Sequence, residues 1–257
     1  MPDRTEQAEI ARLNKIIQSL MNRAERNASV QGSDFNLFQT GITLEDQVRR
    51  RTEELDAAMR VNEKITRDLR ESEKQIRNFA FYDTLTQLAN RRLLTDRLGQ
   101  AMATSKRSGR YGAVLFLDLD NFKPLNDTHG HEVGDLLLIE VAHRLTHCLR
   151  ETDTVARFGG DEFVVILCEL DTDKQRSVAK ADIVAKKIRT TLAEPYWLSR
   201  KREDGGENKV EHHCTSSIGA VLFISHEASQ EDVLKWADMA MYQAKESGRN
   251  RVNFFAP

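Results

Sequence analysis

Acidic side chains stand at the ends of two apolar runs that have the length of β-strands. The run LFLDLD carries Asp118 and Asp120 at its end, and RFGGDEF places Asp161 and Glu162 directly before the apolar residues FVVIL. A carboxylate at the end of a buried strand is costly unless it is paired or binds a cation. Hard cations such as Mg²⁺ take one or two carboxylates and leave substrate phosphates to complete their shell. If the two strands are neighbours, Asp118 and Asp161 converge on one site for metal and phosphate.

Two glycines, Gly159 and Gly160, precede the second acidic pair. Glycine permits the positive φ angles of a tight hairpin turn, and its bare backbone brings N–H groups close to a phosphate. The simpler interpretation is an ordinary acidic hairpin with a solvent-exposed Asp–Glu pair, which is the more frequent meaning of GGDE in isolation. The spacing alone leaves both interpretations open.

Strands and helices alternate along the chain after Phe81. Apolar runs of strand length lie at 113–117, 163–168 and 217–224. Helical periodicity extends over 91–108, 134–149, 174–192 and 230–247. This alternation, with two strands meeting at Gly159 and Gly160, predicts one α+β or α/β domain.

A charged segment, 199–213, contains two adjacent glycines and predicts an exposed hairpin or loop. His212, His213 and Cys214 adjoin it. Adjacent histidines without a clear third ligand do not have a chelating spacing, so an exposed loop is expected there rather than a zinc site.

Before residue 80 the chain is charged and polar, with a sustained heptad of apolar positions. Its a positions are Val48, Leu55, Asn62, Leu69 and Ile76. One Asn in an apolar seam fixes register and favours two parallel strands, at some cost in stability. The pattern therefore predicts a parallel coiled-coil dimer over 42–80. The alternative is a single amphipathic helix that lies on its own domain.

A shorter stretch of the same spacing precedes this heptad. Its apolar residues are Ile10, Leu13, Ile17, Leu20 and Ala24. The glycine-containing segment 27–41 is predicted to break it. We therefore expect a short helix and linker over 1–41, a coiled coil over 42–80 and the α+β domain over 81–257. Because 1–41 is too short for a usual sensor domain, either the helices receive a signal or an upstream regulatory protein on another chain does.

The overall charge of the chain is close to neutral, with 38 Lys and Arg against 40 Asp and Glu among 257 residues. A dedicated duplex-DNA binder would carry a basic excess, so DNA is not an expected partner. No apolar run approaches the roughly 18 residues of a membrane-spanning helix, and no secretory signal is visible. Cys148, Cys168 and Cys214 lack a CxxC spacing and predict reduced thiols. We expect a cytoplasmic protein without membrane insertion.

Several segments together resemble the GGDEF family of diguanylate cyclases. They are FLDLDNFKPLND, GHEVGD and RFGGDEF, with DTLTQLANRR before them and YQAKESGRNRV near the end. The resemblance implies an α+β domain with a palm-like, mainly antiparallel central sheet flanked by helices, here preceded by a long N-terminal helical coiled coil. It also implies condensation of two GTP into cyclic di-GMP with release of two pyrophosphates. Each domain binds one GTP, so two must face each other, and the coiled coil would raise their effective concentration.

The resemblance also assigns the metal-binding and catalytic residues. Asp118 and Asp161 match metal carboxylates, and the Leu119 carbonyl matches a further ligand. Glu162 matches the acid that binds metal or deprotonates the attacking 3′-hydroxyl. Two Mg²⁺ ions per GTP site, or Mn²⁺ in their place, would bridge phosphate oxygens and stabilise the charge developing at the α-phosphorus.

Guanine recognition is assigned by the resemblance to Asn126 and Asp135. An Asp accepts from the N1 and N2 donors of guanine, which adenine lacks. The alternative for Asp135 is an acid near a helix N-terminus that interacts with the helix dipole. His131 matches a common GH pair of the family, and the turn at Gly159 and Gly160 completes the nucleotide-binding set.

Phosphate binding is assigned by the resemblance to two pairs of residues. Phe122 and Lys123 match positions whose backbone N–H groups hold the β- and γ-phosphates. Lys245 and Arg249 match side chains that meet the same phosphates. Without the resemblance, a basic pair at i and i+4 would be an ordinary complement to a helix C-terminus.

Arg150 and Asp153 form an RxxD tetrad before the glycine turn and match the family's inhibitory product site. Arg offers a planar fork for phosphate or for a guanine edge, and Asp offers a pair of acceptors. The resemblance thus implies inhibition by bound cyclic di-GMP; the alternative is a salt bridge at a helix end. Gln87 departs from the family, which usually has Gly there, so the turn differs without a loss of chemistry.

Three functions are consistent with these motifs. The first is an active, product-inhibited diguanylate cyclase. The second is a cyclic di-GMP receptor that has lost turnover, and the third is a scaffold whose main task is dimerisation. Receptors of this family typically lose the GGDEF acids, and Asp161 and Glu162 are present. The sequence favours the first.

Overall fold

The computed structural model describes residues 4–27, 34–201, 207–225 and 228–255. Cα proximity divides the chain into two compact units, which are residues 1–73 and 74–257. Two helices, α1 (Arg4–Asn27) and α2 (Asp34–Phe81), begin the chain.

The start of α2 differs from the sequence-based expectation. We predicted that residues 27–41 would break the helical pattern, but α2 already begins at Asp34, and Gly41 lies inside it. A single glycine costs a helix interior only about 1 kcal/mol relative to alanine, which a helix of 48 residues can absorb. Residues 34–41 are therefore helical, contrary to the prediction, and residues 28–33 lie outside the described part of the chain.

Within the first unit, α1 lies beside the N-terminal part of α2. Leu13 and Ile17 of α1 line one groove of about 910 Å³ together with Val48 and Leu55 of α2. Val48 and Leu55 are each 38% exposed, because α1 shields one side of them. The apolar stripe of α1 thus serves to cover part of the α2 heptad.

Further along α2 the heptad residues are more exposed. Leu69 is 58% exposed, Ile76 is 65% exposed and Phe79 is 67% exposed. These side chains repeat at the spacing of a coiled-coil seam, and in a single chain they face solvent. The long N-terminal helix expected from the sequence is present, with its apolar seam exposed.

The second unit contains a five-stranded sheet and a two-stranded hairpin. The strands are β1 (Gly112–Asp120), β2 (Thr154–Gly159), β3 (Glu162–Leu167), β4 (Tyr196–Lys201), β5 (Glu207–His212), β6 (Thr215–Phe223) and β7 (Val252–Phe254). The sheet order is β2-β3-β1-β6-β7, and its pairs are antiparallel except for β6 with β7. The predicted mainly antiparallel sheet is confirmed. Because β1 pairs with β3, the two acidic strand ends are neighbours.

Five helices flank this sheet. They are α3 (Arg91–Ser108), α4 (Phe122–His129), α5 (His131–Cys148), α6 (Lys174–Leu192) and α7 (Gln230–Glu246). The bounds of α3 and α6 agree with the sequence pattern because each has a local start signal: Asn90 caps α3, and Asp173 caps α6. The short helix α4 was not predicted, and α5 begins earlier than residue 134 because the N-cap is Gly130.

The central strand β1 is buried along its whole length, since helices cover both faces of the sheet. Leu115 and Leu117 belong to the core shared with α5 and α6. Val114 and Phe116 belong to the core shared with α3 and α7. Side chains alternate between the faces of a strand, so Asp118 continues the face that α3 and α7 cover. This explains why the strand reads as a continuous apolar run with acids at its end.

Helix α7 packs directly on the backbone of β6 at Gly219. A Cβ at this position would overlap the Ala237 carbonyl oxygen and the Met241 amide nitrogen. The missing side chain therefore sets how closely α7 approaches the sheet. That distance fixes where the C-terminal residues of α7 lie relative to the end of β1.

The predicted hairpin around 199–213 is formed by β4 and β5, which pair from Tyr196 with His212 to Lys201 with Glu207. Its tip, residues 202–206, lies outside the described residues. Among the helices that the structure describes, none has the length and apolar character needed to cross a bilayer.

Candidate active site

Asp118 and Glu162 lie directly opposite each other in the β1–β3 pair. Opposite residues of an antiparallel pair share one face, with Cβ atoms about 4.5–5.5 Å apart. The Leu119 amide then donates to the Asp161 carbonyl oxygen at 3.3 Å, so the end of β1 is tied to the turn that precedes β3. The structure thus brings together all four residues assigned to metal binding.

The glycine turn between β2 and β3 has the conformation that its sequence indicated. Gly160 has φ 53°, a left-handed value that favours glycine. Arg157 fixes the turn, since its Nε and Nη2 donate to the Gly160 carbonyl oxygen at 2.9 and 2.8 Å. Sequence reasoning missed this role of Arg157, although an arginine three residues before the second glycine was visible.

A basic side chain from α7 reaches the same carboxylates. Lys245 Nζ lies 2.7 Å from Asp118 Oδ2, with Asp118 largely buried and Lys245 about one third exposed. The predicted phosphate-binding lysine is therefore at the site, and here it pairs with the predicted metal ligand. The Lys245 ammonium group thus occupies the side of the Asp118 carboxylate where a metal ion was predicted to bind.

Two carboxyl groups of the site, those of Asp118 and Glu162, have a pKa above the ordinary value. Burial raises the pKa of Asp118, and the charges of Asp161 and Asp120 raise it further, while the Lys245 ammonium opposes them. Burial also raises the pKa of Glu162, followed by the charges of Asp118, Asp238 and Asp161. Concentrated negative charge of this kind favours binding of a cation.

The donor set fits a hard divalent cation that also binds phosphate. In the part of the chain that the structure describes, no group of three or more His, Cys, Asp or Glu side chains is arranged to hold a metal ion. Mg²⁺ commonly uses one or two carboxylates together with substrate phosphates, so a preformed protein cage is not required. The lysine on Asp118 marks a position where positive charge is already favourable.

A second part of the site lies between α4 and α5, where the base-reading residues were predicted. Asn126 Oδ1 is buried and has no hydrogen-bond partner within the described structure. Buried polar atoms are nearly always bonded, so this oxygen is available for a ligand donor. Asp135 and His131 lie on the first turn and a half of α5 and are exposed. The structure places all three beside the α4–α5 connection.

Room for Asn126 depends on Gly134, which sequence reasoning did not single out. A Cβ at Gly134 would overlap Asn126 Oδ1 and lie 2.9 Å from its Cγ and 3.2 Å from Phe122 Cζ. Gly134 has helical backbone angles that any residue can adopt. Its missing side chain therefore makes room for Asn126 of α4 and is not needed for the backbone of α5. The glycine immediately before Asp135 was the available signal.

Phe122 and Lys123 are the first two residues of α4. The residue before them, Asn121, has φ 60° and makes no side-chain hydrogen bond to the helix start. The first N–H groups of a helix have no intrahelical partner, and a phosphate satisfies them well. The backbone of both residues therefore has the character that phosphate binding requires.

The predicted product site has partners within the chain. Asp153 Oδ2 accepts from the Arg150 amide and its Oδ1 accepts from the Cys168 amide, both at 3.2 Å. The carboxylate thus caps the turn between α5 and β2 and joins it to the end of β3. In the described structure these backbone bonds, rather than an ion pair with the Arg150 side chain, hold Asp153.

Comparison with known proteins identifies the family. Residues 80–251 match the family described as diguanylate cyclase, GGDEF domain. The chain therefore belongs to the GGDEF family, as the resemblance in the sequence implied.

Relatives agree with this assignment over most of the chain. It is 40% identical over 191 residues to the bifunctional diguanylate cyclase/cyclic di-GMP phosphodiesterase MucR of Pseudomonas aeruginosa, covering 74% of this chain and 26% of MucR. The chain spans about a quarter of the length of curated relatives that it matches, MucR among them.

Two solved structures extend the likeness into the N-terminal helices. The coiled coil and GGDEF domain of DgcB from Caulobacter crescentus, in complex with c-di-GMP, has a TM-score of 0.64 and 30% identity, covering 78% of this chain and 98% of that one. The diguanylate cyclase SiaD of Pseudomonas aeruginosa, in complex with its activator SiaC, has a TM-score of 0.58 and 28% identity, covering 98% and 92%.

Proposed function

We propose that this protein is a diguanylate cyclase, which condenses two GTP molecules into cyclic di-GMP and releases two pyrophosphates. The observation that carries the proposal is the opposition of Asp118 and Glu162 in neighbouring strands, with Lys245 against Asp118. These groups combine the carboxylates and the cationic side chain that phosphoryl transfer requires. Family membership supports the same reaction.

The acidic residues of the site have proposed roles in metal binding and in proton transfer. The metal ligands are Asp118, Asp161, Glu162 and the Leu119 carbonyl. Bound there, two Mg²⁺ ions, or Mn²⁺, would supply positive charge to the phosphate oxygens. For Glu162 the alternative proposed role is that of a general base, which accepts the proton of the attacking 3′-hydroxyl.

The nucleotide is held at its two ends. Asn126 and Asp135 bind the guanine edge, and His131 lies beside them at the start of α5. The backbone amides of Phe122 and Lys123 bind the terminal phosphates. Lys245 and Arg249 would bind the same phosphates, and a cation held by Asp118 would release Lys245 for this role, because a divalent cation and an ammonium compete for one carboxylate. Gly159 and Gly160 leave room for the nucleotide at the turn.

Cyclisation of two nucleotides requires two domains that face each other. We propose a homodimer formed by the seam of α2, since Leu69, Ile76 and Phe79 are exposed at coiled-coil spacing. Tethering raises the effective concentration of the second half-site without any new contact in the domain. The division into 1–41, 42–80 and 81–257 stays a prediction, with the second helix already begun at Asp34.

Regulation is proposed at two places. Cyclic di-GMP binds at Arg150 and Asp153 and inhibits, as is consistent with the DgcB structure in complex with c-di-GMP. A regulatory protein is proposed to act on the N-terminal helices; the similar diguanylate cyclase SiaD forms a complex with its activator SiaC. A cytoplasmic location, where GTP is available, completes the proposal.

The decisive experiment incubates the purified protein with GTP and Mg²⁺ and separates the nucleotides by chromatography, with ATP in a parallel tube. We expect cyclic di-GMP from GTP alone, formed at a rate that falls as product accumulates. Binding of cyclic di-GMP without any turnover of GTP would instead identify a receptor. A protein that forms dimers but binds neither nucleotide would be a scaffold.

A further inference from the structure

A buried carboxylate next to the proposed metal site has no role in the scheme above. Asp120 ends β1 and is only 3% exposed. Its Oδ1 accepts from Ser217 Oγ at 2.7 Å, and its Oδ2 accepts from Thr215 Oγ1 at 2.6 Å. Its Oδ2 also accepts from the Asn250 amide at 3.1 Å. A carboxylate is costly to bury, and these three donors are what make it tolerable.

The third donor belongs to the turn that follows α7. Arg249 has φ 59° and Asn250 has φ 47°, so two successive residues with side chains adopt the left-handed conformation. Such residues persist only where their surroundings hold them. The Arg249 amide donates to the Ala244 carbonyl oxygen at 3.1 Å, and Arg189 Nη1 donates to Asn250 Oδ1 at 2.9 Å. The bond to Asp120 ties this turn to the strand that carries Asp118.

We propose that Asp120 is a positioning residue for nucleotide binding, which acts by holding the Arg249–Asn250 turn so that Arg249 reaches the terminal phosphates. The proposal rests on the proposed function, in which Arg249 is a phosphate ligand. Asp120 itself touches neither nucleotide nor metal in this scheme. Through its bond to the Asn250 amide, Asp120 fixes the turn after α7 relative to the end of β1, and this turn carries Arg249.

The acceptor chemistry explains why this residue is an aspartate. A carboxylate offers two oxygens that only accept, which matches two hydroxyls and one amide. In Asp120→Asn one of these oxygens becomes an NH₂ group. Its NH₂ group can face Ser217, whose hydroxyl rotates to accept from it, while the remaining oxygen still accepts from the Thr215 hydroxyl and the Asn250 amide. The bond to the Asn250 amide then loses its charged acceptor and weakens, whereas the backbone ladder between β1 and β6 is unchanged, so the substitution affects the turn more than the strand pairing.

A purely structural role would have another signature. Thr215 and Ser217 lie on β6, so Asp120 could serve only to join two strands. Ser217→Ala is the matched control, because it removes a donor from Oδ1 and leaves the Asn250 bond on Oδ2 in place. If joining the strands is the main role, this control and Asp120→Asn have the same effects.

The test uses the full chain and compares wild type, Asp120→Asn and Ser217→Ala. Hydrogen exchange of the amides in residues 247–252 and calorimetric GTP affinity are measured, and neither needs turnover. For Asp120→Asn we expect faster exchange at the Asn250 amide and GTP affinity lower by about tenfold, the loss typical of one charge-assisted contact. Ser217→Ala keeps both values of the wild type.

A double substitution separates action through Arg249 from other effects. Arg249→Ala should weaken GTP binding in the wild type and add little in the Asp120→Asn background, since residues that act through one another are not additive. In the cyclase assay the loss should lie in KM more than in kcat. Full additivity, or faster exchange without weaker binding, overturns the proposal.

Asn250→Ala alters the Arg249–Asn250 turn directly and replaces Asp120→Asn in the test if that variant does not fold. Asn250 is exposed, and alanine tolerates the left-handed conformation less well than asparagine. This variant should loosen the turn and weaken GTP binding, again with little added by Arg249→Ala. Unchanged GTP affinity would overturn the role of the turn. If wild type binds GTP but forms no cyclic di-GMP, the cyclase proposal fails while these binding measurements still decide the role of Asp120.

Discussion

Arg157 and Asp83 form an ion pair across 74 positions of sequence, with Nη1 lying 3.1 and 3.2 Å from the two carboxylate oxygens. The same guanidinium donates to the Gly160 carbonyl oxygen from its other two nitrogens. Asp83 follows the end of α2 at Phe81 by two residues. One arginine therefore connects the segment after the long helix to the turn that carries Asp161.

This connection predicts that Asp83→Asn impairs catalysis from a distance. With one partner lost, the Arg157 side chain, which is 14% exposed, no longer holds the turn firmly. We expect turnover to fall about tenfold, because small displacements of reacting groups are costly, and stability to fall by about 1–3 kcal/mol. Chromatographic rates and denaturant unfolding measure the two effects. Asp171→Asn, which breaks the more exposed pair with Lys180, is the control and should retain full turnover.

The same pair predicts how stability changes in acid. Burial alone would raise the pKa of Asp83, but hydrogen bonds from Thr86 and Arg157 hold it below its ordinary value of 3.8. The folded protein then binds fewer protons than the unfolded chain, so this stabilisation is present above the ordinary pKa and is lost as pH falls through the folded value. Urea unfolding from about pH 6 to about pH 2 should show wild type converging on Asp83→Asn. A constant difference would contradict this assignment.

Glu162→Gln should abolish cyclic di-GMP formation while the fold survives. The amide keeps the shape of the side chain but can neither accept the hydroxyl proton nor contribute its charge to a cation. Circular dichroism and the unfolding midpoint would establish the fold, and chromatography would establish the loss of product. Glu231→Gln, at the exposed start of α7, makes the same chemical change away from the site and should turn over normally. Normal turnover by Glu162→Gln would remove Glu162 from the catalytic scheme.

Gly134→Ala should weaken GTP binding and reduce discrimination against ATP. Its methyl group would displace the Asn126 side chain, and overpacking of this kind typically costs about 1–3 kcal/mol, or about tenfold or more in affinity. Calorimetry with GTP and ATP measures both effects. Gly41→Ala adds the same methyl group where nothing lies within 4 Å and should bind GTP normally. Equal GTP affinity in both variants would show that Asn126 does not read the base.

Leu69→Lys should convert a dimer into monomers. A charged side chain in the apolar seam of a coiled coil cannot be buried against its symmetry mate without a large desolvation cost. Sedimentation of the full chain measures the mass, and the rate of cyclic di-GMP formation should then rise with protein concentration. Glu71→Lys introduces the same residue outside the seam and should remain a dimer. If Leu69→Lys and Glu71→Lys sedimented with the same oligomeric mass, this seam would be ruled out as the dimer interface.

Local signals made the elements of the fold predictable. Apolar periodicity predicted the bounds of α3 and α6, which the structure shows to be capped by Asn90 and Asp173, and the acids after LFL and before FVVIL marked two strand ends. The predicted break before residue 42 was wrong over 34–41, because one glycine is a weak helix breaker when a long helix continues on both sides. Short-range patterns thus predict local helices and strand ends well, but they do not show whether a helix continues past a single glycine.

What the sequence by itself determined is the alternation of the main strands and helices, the sheet class and the family, with Asp118, Asp161 and Glu162 marked as the chemically active acids. Tertiary structure alone decided which distant groups pair with the acidic residues in and around the site. The pairings of Lys245 with Asp118, Arg157 with Asp83 and Asn250 with Asp120 join residues more than 70 positions apart. Such contacts depend on strand register and on the close approach of α7 at Gly219, and packing of the whole domain sets both.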